Sequence, residues 1–229
     1  MHRCNAQADR DEKTLRISLD TKAKIKLGEY SRGGAARGRE APKAWDHDMK
    51  PSSQWVPVGI LEPVQEPLTL LFSDSIETSD LLVDCLEIGW SDNGDYYAAI
   101  EEIVINLDCG PHVNSHRTQF MNRLVAFSKQ IGRRIHLVYY PPYHSKYNPI
   151  ERCWGVLEQH WNGALLDSVD TTLNWAGTMT WRGIQPVIHF IDRVYERGVK
   201  LTKKAMAEVE KKLNRSNELP KWEVIIEPT

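Results

Sequence analysis

Apolar and polar positions alternate near the start of the chain. Leu15, Ile17, Leu19, Ala23, Ile25 and Leu27 fall on one face of residues 15–27, with Arg16, Ser18, Asp20, Lys22, Lys24 and Lys26 on the other. That alternation predicts a long strand or a strand pair. Residues 55–61 and 68–72 predict two more strands, separated by Pro63 and Pro67. Thr78-Ser79-Asp80 precedes Leu81, Leu82, Cys85, Leu86 and Ile88, the pattern of a capped amphipathic helix. Residues 103–107 are almost wholly apolar, as expected of a buried strand. Phe120, Met121, Leu124, Val125 and Phe127 recur at helical spacing within 114–131, and residues 135–140 predict another strand. Residues 148–161 predict a helix with Ile150, Trp154, Leu157 and Trp161 on its apolar face. Past Asn162 the chain reads as helical to about residue 214, and Pro220 precedes an expected edge strand at 222–226.

The order of strands and helices predicts an α/β sheet with an antiparallel opening and a parallel continuation. Three segments are expected: a polar stretch at 1–14, the α/β domain at 15–165 and a helical C-terminal extension at 166–229. Within the domain, residues 31–53 are rich in Gly, Ala, Pro and charge without a period, and a loop that long is usually functional or disordered.

Composition adds exclusions. The 229 residues are 41% apolar and 26% charged, long enough for a substantial core. No apolar run approaches the roughly 20 residues of a membrane span, and the N-terminus lacks an apolar signal core. No membrane partner is therefore expected. Cys4, Cys85, Cys109 and Cys153 are scattered without a Cys-x-x-Cys pair, which suits free thiols in a reducing cytoplasm. The formal charge of −2 weighs mildly against a wholly basic nucleic-acid binder. Locally, however, Lys22, Lys24, Lys26, Arg32, Arg37, Arg39 and Lys43 outnumber Glu29 and Glu40.

Three separated acids carry the candidate chemistry. Asp20 closes the first strand, Asp108 follows the buried run at 103–107, and Glu151 stands in the first turn of the helix at 148–161. Carboxylates on three elements suit a two-metal phosphoryl-transfer site. Each has a plainer reading. Glu151 completes an Asn148-x-x-Glu capping box, with Pro149 suited to the first helical position. Asp108 before Gly110-Pro111 suits a turn, although strand ends are where open α/β sheets place their sites. Asp20 shares a polar strand face with lysines and suits a solvated strand. Glu158 rivals Glu151 on the same helix. His144 and Lys146 are candidates for phosphate contact. Asp46-His47-Asp48 reads as a solvated loop, and Cys109, His112 and His116 have zinc-compatible spacing without an obvious fourth ligand.

Several phrases of the sequence resemble one family. They are Ser18-Leu19-Asp20-Thr21-Lys22, Tyr30-Ser31-Arg32-Gly33-Gly34, Asp46-His47-Asp48, Arg117-Thr118-Gln119-Phe120 and His144-Ser145-Lys146-Tyr147-Asn148-Pro149-Ile150-Glu151-Arg152-Cys153-Trp154-Gly155. Together with Glu158-Gln159-His160-Trp161-Asn162-Gly163 and Thr178-Met179-Thr180-Trp181, they resemble the ISAzo-type, or Rhodopirellula, DDE insertion-sequence transposases. The resemblance runs from about Leu15 and implies a ribonuclease H-like mixed sheet flanked by helices. It makes Asp20, Asp108 and Glu151 the expected catalytic and metal-binding triad, holding two Mg²⁺ or Mn²⁺ ions for DNA cleavage and strand transfer. It also implies DNA as partner, and the basic residues Lys22, Lys24, Arg32, Arg37, Arg39, His144, Lys146 and Arg152 are then the expected phosphate contacts. A homodimer is a candidate assembly, and the bacterial cytoplasm, at the nucleoid, is the expected location. Two departures stand out. Cys109 replaces the asparagine usual after the second acid, and only 19 residues precede Asp20, too few for the family's helix-turn-helix region. The expected protein is thus a truncated transposase catalytic domain, with a catalytically silent DNA-binding or assembly remnant as the alternative.

Overall fold

The computed structural model describes residues 1–34, 44, 53–141 and 147–229. A mixed sheet forms its centre. Strands β1 (Thr14–Thr21), β3 (Ser53–Leu61) and β4 (Leu68–Ser73) pair antiparallel, while β5 (Glu102–Leu107) and β6 (Arg134–Tyr139) continue parallel on the other side of β1. The inner order β4-β3-β1-β5-β6 is that of a ribonuclease H-like sheet. It is extended by β7 (Val187–Ile191) beside β4 and by β9 (Glu223–Ile226) then β8 (Leu213–Arg215) beside β6. The short β2 (Ile25–Leu27) pairs with β3.

Strand alternation divides the core between two faces. Leu15, Ile17, Leu19, Ile103, Ile105 and Leu107 point to one face. There they pack under α2 (Ser79–Asp92), α3 (Thr118–Ile131) and α6 (Lys203–Glu210), with Leu81, Phe120, Leu124 and Val209. Thr78 caps α2 by accepting from the Leu81 N–H, and Gly132 in the left-handed region ends α3, both as helix-end chemistry requires. Arg123 of α3 ties these helices by reaching Asp80, Asp84 and Glu87 of α2. The opposite face receives α4 (Ile150–His160) and α5 (Val169–Thr178), with Trp55, Leu61, Trp154, Leu157 and Trp161 buried together. It also receives α1 (His2–Ala8), packed on Val104 and Val138.

The structure meets some of the sequence expectations and departs from others. Residues 15–27 form two strands, one of the two expected forms, and the second strand pairs with β3. The region after Asn162 is helical only in α5 and α6, and it also contributes β7 and β8. The Val-Ile-His-Phe-Ile run of β7 is rich in β-branched and aromatic side chains, which favour a strand. The expected C-terminal edge strand, β9, lies inside β8 instead of at the edge. The chain's first residues are not merely a polar stretch, since α1 lies on the sheet and Ala8 is buried there. No helix among the described residues is long and apolar enough to cross a membrane.

Candidate active site

Ser18 of β1 stands beside Asn106 of β5 in parallel register. Continued two residues, that register sets Asp20 beside Asp108, on the face that receives α4. Helix α4 is fixed there by three features. The Ser18 hydroxyl donates to Asn148 Oδ1. The Ile150 N–H approaches Ser18 Oγ at 3.4 Å. The Trp154 indole N–H donates to Asp20 Oδ2 at 2.9 Å. Gly59, paired with Asp20 from β3, makes the close approach possible. A Cβ on Gly59 would lie 2.5 Å from Ile150 Cδ1 and 2.7 Å from Trp154 Cη2. Glu151 therefore enters from the first turn of α4, on the face that already carries Asp20 and Asp108.

The three acids share one electrostatic environment. Burial pushes the Asp20 carboxyl up to about 7; the Trp154 hydrogen bond opposes this, and the negative charges of Glu151 and Asp108 add to it. Desolvation and like charge both disfavour an ionised carboxylate. Asp108 Oδ1 accepts from the Gly110 N–H at 3.1 Å, so its turn role is present alongside its place near Asp20.

The capping expectation for Glu151 does not hold. Helix α4 begins at Ile150 with Pro149 at the cap position and no side-chain cap bond. Asn148 is buried and bonded to Ser18 instead. The Glu151 carboxylate makes no hydrogen bond or ion pair among the described residues.

Glu158 has a different employment. It pairs with Lys22 at 2.8 Å and with Arg32 at 3.2 Å, and Arg32 lies over the Trp161 ring at 4.8 Å. Two cations expected to meet phosphate thus pair with Glu158 within the chain. Lys24 and Arg152 are exposed and form no ion pair among the described residues. Arg37, Arg39, Asp46, Asp48, His144 and Lys146 lie outside the described residues. Cys109 is exposed. Cys109, His112 and His116 do not converge as metal ligands. Among the described residues, the group whose ligand atoms all lie within 4.8 Å of one another is Cys4, His136 and Glu223. The three acids therefore do not close around a single point.

Sequence reasoning did not find Trp154, Asn148 and Gly59 as positioning residues. Gly59 carried a signal, because glycine inside a strand marks close approach by another element.

The sequence profile of the Rhodopirellula transposase DDE domain matches residues 1–228. The match includes α1, ahead of the residues that carry the resemblance. No curated protein matches the chain.

Proposed function

The chain belongs to the Rhodopirellula transposase DDE-domain family, and from that premise we propose that Asp20, Asp108 and Glu151 form its catalytic centre for DNA cleavage and strand transfer. The observation that carries this reading is the half-buried Asp20 carboxyl, held by the Trp154 indole beneath α4, with Glu151 and Asp108 near enough for their charges to push it up. Such a cluster calls for positive charge, and its all-oxygen donor set fits a hard divalent cation. Asp20, Asp108 and Glu151 would together hold the ions. Bound there, two Mg²⁺ or Mn²⁺ ions would activate the attacking oxygen and stabilise the leaving oxygen.

The chain's own groups prepare that chemistry. Trp154 orients Asp20, while Ser18 and Asn148 anchor the turn that carries Glu151. Exposed Lys24 and Arg152 would contact phosphates, which position DNA without reading its sequence. Lys22 and Arg32 would instead keep Glu158 neutralised and away from the centre. Nicking of supercoiled plasmid tests the assignment. Wild type should nick with Mn²⁺ and stop with chelator, and Asp108→Asn should fold normally and not nick. Equal nicking by Asp108→Asn would remove Asp108 from the centre.

A further inference from the structure

A second group of ligating side chains lies on the α1 face of the sheet. Cys4 comes from α1, His136 from β6 and Glu223 from β9, and their ligand atoms all lie within 4.8 Å of one another. Cys4 Sγ is 3.7 Å from Glu223 Oε1, and His136 Nε2 is 3.0 Å from the same oxygen. His136 Nδ1 faces Glu102 Oε1 at 3.3 Å. The group lines a cavity of about 260 Å³ that Gln7 and Thr14 also border.

The placement of His136 needs explanation. A neutral imidazole has one donor and one acceptor nitrogen. If Nδ1–H serves Glu102, the Nε2 lone pair faces a carboxylate oxygen. That contact is repulsive unless a proton or a metal ion lies between the two atoms. Thiolate, imidazole and carboxylate are the donors that Zn²⁺ takes, and thiolate disfavours Mg²⁺. Ordinary zinc bond lengths in a tetrahedron separate sulfur from oxygen by about 3.5 Å and nitrogen from oxygen by about 3.3 Å. The separations of 3.7 Å and 3.0 Å lie near these values. Thiolate and carboxylate together neutralise the ion's charge. Glu102 on Nδ1 supplies the outer carboxylate that fixes the tautomer and orientation of a ligating histidine.

We propose that Cys4, His136 and Glu223 form a zinc site, with a fourth position open to water, that pins α1 to β6 and β9. The consequence reaches the sheet centre. Helix α1 brings Asn5 Oδ1 to the Asn106 amide at 3.0 Å, and Asp9, just past its end, pairs with Arg16 at 2.5 Å. Asn106 is the register partner of Ser18, which anchors the turn before α4. Zinc would thus brace, through α1, the same face of the sheet that carries α4 and the acids.

Cobalt(II) spectroscopy of the full-length protein tests this. One equivalent of Co²⁺ should give intense tetrahedral visible bands and a near-ultraviolet sulfur-to-metal charge-transfer band. Zn²⁺ should displace both. Cys4→Ser should lose the charge-transfer band, while Cys109→Ser keeps it. Glu102→Gln should weaken zinc binding by about 10–100-fold, the usual effect of removing an outer-shell partner. The wild-type protein gives an independent readout: Zn²⁺ should slow alkylation of Cys4, located by peptide mapping, and leave Cys109 unchanged. Only weak oxygen-ligand bands, a charge-transfer band that survives Cys4→Ser, or unprotected Cys4 overturns the proposal. An imidazolium sharing its protons with Glu102 and Glu223 then accounts for the geometry.

Discussion

The Trp154 indole donates to Asp20 Oδ2 at 2.9 Å, joining the first turns of α4 directly to β1. Trp154 is buried and Asp20 half-buried, so this bond is partly shielded from water. It favours the charged form of Asp20 against the effect of burial. Trp154→Phe keeps most of the packing and removes the donor. Stability should fall by about 1–3 kcal/mol, the cost of an unmade buried hydrogen bond plus a smaller ring. The Asp20 carboxyl should titrate at higher pH than in wild type. The pH midpoint of Mn²⁺-induced thermal stabilisation should move upward, and an unchanged midpoint would separate Trp154 from Asp20.

Asp20 also predicts how stability depends on pH without metal. Its folded-state pKa, about 7, lies above the ordinary value of 3.8. The folded protein therefore binds this proton more tightly than the unfolded chain. Its contribution is fully present below about pH 4 and is lost as pH rises through about 7. Asp20→Asn keeps an acceptor for Trp154 and cannot ionise. Thermal melts should show the variant more stable than wild type at pH 8, by an amount on the order of 2–4 kcal/mol. The difference should shrink toward pH 4. A constant offset between the two proteins across that range contradicts the shared acidic cluster.

Gly59 and Gly155 make a matched pair. A Cβ at Gly59 runs into Ile150 and Trp154, whereas one at Gly155, in the middle of α4, meets nothing within 4 Å. Gly59→Ala should destabilise by about 1–3 kcal/mol, because overpacking forces the helix away from the sheet. It should also lower any nicking activity by displacing Glu151. Gly155→Ala should stabilise by roughly 0.5–1 kcal/mol, the usual gain from replacing a helix-interior glycine. Chemical denaturation of both variants checks the contrast.

DNA affinity should depend on which cations are free. Lys24→Ala and Arg152→Ala should each weaken binding about equally across sequences and lower the salt slope by about one counterion. Lys22→Ala should change the slope less, since Lys22 already pairs with Glu158 at 2.8 Å. Fluorescence anisotropy on a short duplex at several salt concentrations measures all three. Equal effects from Lys22 and Lys24 would mean that the Glu158 pair opens on DNA.

The inner sheet and its helices were legible because their periods are clean. Residues 103–107 are continuously apolar, and α3 and α4 repeat their apolar positions at helical spacing. The acids' element positions were legible for the same reason. Tertiary decisions were not. Nothing local distinguishes an Asn148 that caps α4 from one that accepts the Ser18 hydroxyl 130 residues away. The pairing of Lys22 and Arg32 with Glu158 likewise depends on how the chain folds back. The strand β7 was missed because its short run sits among helical segments, and only its parallel pairing with β4 identifies it.

Glu151 gives the most direct test of the catalytic centre, measured against Glu158 on the same helix. Glu151→Gln keeps shape and loses charge, and no capping bond depends on it. Thermal melts with and without Mn²⁺, together with plasmid nicking, should be run on wild type, Glu151→Gln and Glu158→Gln. Wild type and Glu158→Gln should both gain stability with Mn²⁺ and nick DNA. Glu151→Gln should fold, gain much less stability from Mn²⁺ and not nick. Metal response and nicking equal to wild type in Glu151→Gln would contradict the assignment of Asp20, Asp108 and Glu151 as the catalytic triad.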